Sequence, residues 1–290
     1  MKKFRVILVV ALAFCMSEFA VAQKDYFNEL GEVPTNLPTS YDKNDMAPIQ
    51  FLNPRADDIM WNKVVYRLID LREKMNYPLY FPEDAGDGRQ SLFSLIFNLV
   101  KENKVPAFRF ESAREVFKKE STIDFEEFLK TFGVIYKVKN DPITNQKVYD
   151  IDESDIPNRE CLKYYLKEVW FFDKHSSTFN VKIIAISPVL VMDRNDGSGL
   201  MSYNTFWVPF DALRPYLAQA EVLITDKNNG ARMSFDDLFI KRRFSGNIYK
   251  ESNIQNRTLL DYSSTSDEVK KEQSRIKNEI LNFEQDLWEY

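Results

Sequence analysis

Histidine and cysteine are nearly missing from this 290-residue chain: it carries one His, His175, and two Cys, Cys15 and Cys161. Cys15 falls in an N-terminal stretch that reads as an export signal. Lys2, Lys3 and Arg5 precede the apolar run Val6 to Phe14, and Ala20-Val21-Ala22 supplies small residues before Gln23. Cleavage between Ala22 and Gln23 is the expectation. It leaves Cys161 alone, which excludes an intramolecular disulfide and a His/Cys zinc site. Cys15 is not read as a lipidation site, because a lipobox needs a small residue where Phe14 stands. A Ser-His-Asp or Cys-His arrangement would have to use His175, which lies in the polar turn Phe172 to Ser177 and reads as a surface residue. Glycine is scarce as well, with eight residues against a usual ~7%. Neither GxGxxG nor a P-loop occurs, so a nucleotide cradle is not expected. Beyond the signal no apolar run approaches the ~20 residues of a membrane span, so direct membrane insertion is not expected.

Positive charge is in deficit too. Thirty-nine Lys and Arg face 44 Asp and Glu, a net charge of −5. The signal holds three of the bases and one acid, so its removal takes the balance to about −7. Nucleic acid is therefore not an expected partner. Aromatic residues are plentiful, with 23 Phe, 14 Tyr and 4 Trp, enough for a sizeable core.

Along the chain, residues 23–55 read as an irregular Pro-containing arm, 56–260 as an α+β core and 261–290 as an amphipathic helix. Asn53-Pro54 resembles a helix start, and Trp61, Val64, Val65, Leu68, Ile69 and Met75 then predict an amphipathic helix over 56–75. Tyr77 to Pro82 reads as extended. Helices are expected after Ser91, over Asp124–Phe132, from Pro157 to Trp170, over Pro209–Ala220 and over Ser234–Arg243. Val134–Val138 and Lys147–Ile151 read as a hairpin around Asn140-Asp141-Pro142. Phe179 to Ile186 reads as a strand entering a core, broken at Pro188 and continued over Val189–Met192. Tyr203–Val208 returns after a plain hairpin loop at Asp193–Gly199. An EF-hand register from Asp193 fails, because Gly197 and Asn204 stand where Asp/Asn and Glu are required. The expected fold is α+β, with mixed helices packed on a small sheet containing antiparallel strands.

Carboxylate pairs such as Asp152 with Glu153 and Glu126 with Glu127 raise the possibility of a carbohydrate-active enzyme. Adjacent residues diverge on a helix or strand, so these pairs are poor acid/base candidates. No catalytic residue, cofactor or metal ligand is assigned, and a binding or assembly protein is expected; a chaperone for exported clients is a further alternative.

Two segments carry the candidate partner-binding residues. In the first, Lys241, Arg242 and Arg243 stand beside Phe244 and Tyr249, and residues 241–257 hold five cations against Glu251 alone. Arg pairs bidentately with carboxylates and stacks on aromatics, so the cluster suits an acidic protein partner. In the second, Val269, Ile276, Phe283 and Tyr290 recur every seven residues, with Gln273, Ile280 and Leu287 between them and Trp288 near the end. Such a stripe packs on its own domain or on a neighbour.

With these residues in place, the chain resembles the GldN/PorN family of gliding-motility and type IX secretion proteins of Bacteroidetes. The resemblance rests on Asp57–Trp61, Ile69–Lys74, Asn76–Tyr80, Trp170–Lys174, Ile183–Val189, Lys241–Ser245, Tyr249–Asn253 and Asn282–Tyr290, in that order along nearly the whole mature chain. It implies a non-enzymatic protein of the periplasm, peripherally associated with the inner face of the outer membrane. It further implies self-association in a ring with a GldK/PorK-like outer-membrane lipoprotein, and engagement by a GldM/PorM-like motor component together with GldL/PorL.

Overall fold

In the computed structural model, the described residues are 47–50, 54–86, 88–110, 117–140, 147–194, 199–223 and 232–287. The signal, its Ala22–Gln23 junction, most of the N-terminal arm and Trp288 to Tyr290 lie outside them.

Among the described residues, seven strands build one antiparallel sheet and seven helices pack with it, an α+β architecture. The strands are β1 (Ile59–Asp70), β2 (Phe108–Arg109), β5 (Cys161–Asp173), β6 (Thr178–Asp193), β7 (Leu200–Asn204), β8 (Phe206–Pro209) and β11 (Asn247–Glu251), in spatial order β11-β1-β5-β6-β8-β2 with β7 also on β6. Two separate ribbons are β3 (Lys137–Asn140) with β4 (Lys147–Asp150), and β9 (Glu221–Leu223) with β10 (Arg232–Ser234). The helices are α1 (Tyr77–Tyr80), α2 (Leu92–Lys101), α3 (Phe125–Thr131), α4 (Phe210–Gln219), α5 (Phe235–Ile240), α6 (Leu259–Tyr262) and α7 (Ser266–Asp286).

Local sequence signals explain most of these. The Ser91 hydroxyl accepts from the Ser94 N–H at 3.1 Å and caps α2, whose residues are buried nearly all round. The Asp124 carboxylate caps α3 by accepting from the Glu126 N–H. In the expected 134–151 hairpin, the described residues form the antiparallel pair β3 and β4, and β6 and β7 pair antiparallel on either side of 194–199.

Three expectations are corrected. Residues 56–75 are not a helix: after a 3-10 turn at Ala56–Asp58 they form β1. Residues 157–170 are not a helix either; from Cys161 they form β5. In both segments the apolar spacing fits either period, but aromatic and β-branched residues make up about half of each, and each strand pairs with a neighbour on both edges, so its backbone groups are satisfied in the sheet. The charges that looked like the polar face of a helix are instead neutralised inside: Arg67 and Glu168 meet each other. Tyr77–Pro82, read as extended, opens with the single helical turn α1. A fourth difference concerns Pro188, which does not break β6. It sits where β6 changes partner from β8 to β7, so its missing N–H removes no ladder bond, and its carbonyl accepts from the Thr205 hydroxyl at 2.7 Å.

The core has two main parts on one sheet face. Cross-strand pairs Ile69–Tyr164, Arg67–Leu166, Val65–Glu168 and Lys63–Trp170 place these residues on a common side. Ile69, Tyr164 and Leu166 join the large cluster under α2 to α5. Val65 and Trp170 belong with the smaller cluster beneath α6 and α7. Arg67 and Glu168 lie at the boundary between the two.

Candidate functional site

The basic segment follows α5. Ser234 accepts from the Asp237 N–H at 3.1 Å and starts the helix, which ends at Ile240 rather than Arg243. Its end is a Schellman closure: Arg243 N–H donates to the Leu238 carbonyl at 2.9 Å and Arg242 N–H to the Phe239 carbonyl at 3.1 Å. Arg242 occupies the left-handed position of that closure, with φ +50°, where glycine is usual. The strain, of order 1–3 kcal/mol, persists because the side chain is held on the far side.

What holds it is Glu168, whose side chain is 0% exposed. Arg242 Nη2 donates to Glu168 Oε1 at 3.0 Å, Arg67 Nε and Nη2 donate to the same carboxylate at 3.3 Å, and Trp170 Nε1 donates at 3.3 Å. The Arg242 guanidinium also lies 5.2 Å from the ring centres of Trp170 and Phe244. Burial pulls the Arg242 pKa below its ordinary value, Arg67 adds to that, and Glu168 opposes both. Arg67 in turn donates to the Gly246 carbonyl at 2.9 Å. A Cβ on Gly246 would meet Arg67 Cδ at 2.8 Å, so glycine is required there for close approach.

The three consecutive cations therefore have different fates. Arg242 is part of an internal network. Lys241 is exposed and pairs with Asp237 one turn back at 3.0 Å. Arg243 is exposed and has no ion pair among the described residues. Phe244 is buried against Phe239, and Tyr249 lies half-buried against Tyr66 and Tyr165.

The C-terminal stripe also turns inward. Thr265 and Glu268 form a capping box that starts α7. Ile276 and Ile280 are buried with Val65, Ile248 and Leu259, and Val269 packs beside them. Phe283 stacks on Trp61 at 4.4 Å, and Leu287 is half-buried just past the helix. Gln273, the polar residue in the stripe, donates to the Ile248 carbonyl at 2.8 Å, and so covers part of the β11 edge.

An ionic clamp flanks this contact. Lys63 of β1 reaches Glu251 of β11 at 2.9 Å and Glu279 of α7 at 2.7 Å, and Arg275 of α7 reaches Glu251 at 2.5 Å. Burial raises the Glu251 pKa, but hydrogen bonds from Lys63 and Arg275 outweigh it and hold the carboxyl below the usual 4.5. A lowered folded-state pKa contributes stability above the unfolded value and loses it as pH falls through the folded one. Docking of α7 should weaken as pH drops below about 4.5, the unfolded value. Amide-exchange protection in α7, taken relative to the intrinsic rate at each pH from 7 to ~3, should fall less in Glu251→Gln than in the parent. An equal response in both would remove Glu251 from the explanation.

The groups considered for catalysis are dispersed. Cys161 and His175 stand at opposite ends of β5; His175 is exposed, and burial pushes the Cys161 thiol up to about 12. Hydrogen bonds from Lys147 and then Lys130 hold Glu126 down to about 2, so it stays ionised and is a poor general acid near neutrality. Glu127 faces Arg109 at 3.7 Å on the surface. Among the described residues, no three His, Cys, Asp or Glu side chains are grouped to hold a metal, and no helix is long and apolar enough to cross a membrane.

Sequence reasoning found the basic cluster and the stripe but missed Glu168, Arg67 and Trp170. Their signal was masked by the helical reading of both strands.

No curated protein matches the chain. The family model described as "Gliding motility associated protein GldN" matches residues 54–289, from just before the 3-10 turn that precedes β1 to the residue before the last. With most of its length matched, the chain belongs to the GldN family, a component of gliding-motility and type IX secretion machinery.

Proposed function

We propose that this protein is a non-enzymatic structural subunit of that machinery. In this reading it is exported, loses residues 1–22 and works in the periplasm against the inner face of the outer membrane. It self-associates in a ring with a GldK/PorK-like outer-membrane lipoprotein. A GldM/PorM-like motor component, with GldL/PorL, engages that ring.

The family match over 54–289 carries the reading. The dispersal of Cys161, His175 and Glu126 supports it, because none is arranged as a nucleophile or a proton donor tuned near neutrality. Exposed Lys241 and Arg243 support a contact role at the surface, with Arg242 fixing the turn that presents them. Phe244, Ile276 and Ile280 are committed to the protein's own core and would support such a contact only indirectly.

Outer-membrane fractions solubilised in mild detergent should yield the protein in very large particles together with a lipoprotein. Recovery only as a monomer or small oligomer, from cells in which secretion is active, would overturn the assembly reading. A small oligomer with glycosidase turnover would revive the enzyme alternative.

A further inference from the structure

A cleft of roughly 780 Å³ opens beside α5, between the 74–82 segment and the β9–β10 ribbon. That volume is within the ~300–1,000 Å³ range of binding pockets. Met75, Tyr77 and Phe81 line it and remain 45–57% exposed, three large apolar side chains within seven residues. The lining elsewhere adds Val222 and Leu238, both buried. Isolated exposed apolar residues are ordinary, but a concave cluster of Met and aromatics is an interface composition.

The charges at the cleft are of one dominant sign. Lys74, Arg89 and Arg243 line it, and none of the three has an ion pair among the described residues. Glu221 is the one acid among the described lining residues, and it has an interaction of its own. The cleft is therefore cationic on a protein whose net charge is −5. Desolvating three unpaired cations against a purely apolar ligand would be unfavourable. An occupant that brings carboxylates as well as an apolar anchor satisfies both parts of the lining.

We propose that this cleft docks an extended acidic segment of another protein, with one bulky apolar side chain seated among Met75, Tyr77 and Phe81 and flanking carboxylates paired with Lys74, Arg89 and Arg243. The inference rests on the assembly role above and gives that role a defined surface. It also gives Arg243 a task different from that of its neighbour Arg242: the turn anchored by Arg242 delivers Arg243 to the cleft.

Fluorescein-labelled peptides with a central Trp, Phe or Leu flanked by glutamates should bind the full-length protein saturably. Replacing the glutamates by glutamines should weaken binding at least tenfold, about the effect of losing one charge-assisted pair. The double variant Lys74→Glu/Arg243→Glu alters exposed side chains and should lose the peptide to a similar degree while its melting temperature stays near the parent's. Met75→Ser/Phe81→Ser should lose it without changing the salt dependence of any residual binding. Absence of binding to the folded parent by every peptide in the set overturns the inference. So does equal binding by the rim variant, or binding of anionic vesicles that the glutamate peptides do not compete. These results are separable from the assembly reading: large lipoprotein-containing particles with no peptide binding sink the cleft alone, whereas peptide binding without any large particle sinks the assembly role alone.

Discussion

Arg242→Glu should unfold the protein or destabilise it by about 3–5 kcal/mol, the range for breaking a buried ion pair by removing one partner. The substitution does more than delete a donor. It places a second carboxylate against Glu168, which is fully buried and has Arg67 and the Trp170 N–H as its other partners. At this chain length a loss of that size lowers the melting temperature by about 6–20 °C. Lys241→Glu and Arg243→Glu provide the contrast. Both side chains are exposed, and an exposed pair such as Lys241 with Asp237 contributes ~0–1 kcal/mol, so each variant should melt within a few degrees of the parent.

Arg242→Gly tests the backbone half of the same argument. It relieves the left-handed strain at φ +50° but removes the guanidinium from Glu168. If side-chain pairing dominates, Arg242→Gly remains destabilised; if it melts like the parent, the strain and the pairing are of equal size. A parent-like Arg242→Glu would mean that Glu168 readily finds another partner or a proton, and the internal-network account would fail.

The cation run was legible in the sequence, but its division of labour was not. A run of three bases next to Phe244 looks the same whether its middle member faces solvent or a buried acid. The deciding residue, Glu168, is 74 positions away and lay inside a segment whose apolar spacing also suits a helix. The same ambiguity affected 56–75. Short apolar runs carry both periods, and a strand with cover on both faces shows no clean alternation. Where a local signal acts alone, sequence and structure agree: Ser91 and Asp124 cap the helices expected there, and a helix starts after Ser234 as expected. The α+β class was likewise readable, since it needs only the mixture of elements and not their pairing. The cleft at Met75, Tyr77 and Phe81 was hidden because its lining comes from four separated stretches of chain.

Ile276→Ala should cost about 2–5 kcal/mol, the range for truncating a buried aliphatic side chain, and the loss should be local before it is global. Ile276 is fully buried in the small cluster with Val65, Ile248 and Leu259. Arg67 and Glu168 separate that cluster from the main core along β1 and β5, so its packing is not continuous with the packing beneath α2 to α5. Loosening it should free α6 and α7 while the β5–β6 pairing at the sheet centre stays intact. Phe283 on Trp61 and the Lys63–Glu251–Arg275 clamp would then be the remaining ties, and the clamp is the part that acid removes. Amide exchange should accordingly accelerate across 259–286 in Ile276→Ala, and the variant should be more sensitive than the parent below about pH 4.5. Leu281→Ala, at a position 48% exposed on the same helix, should leave exchange unchanged. Uniform acceleration through β5 and β6 in Ile276→Ala would show instead that the two clusters unfold as one unit, and that the buried charges between them do not divide the core.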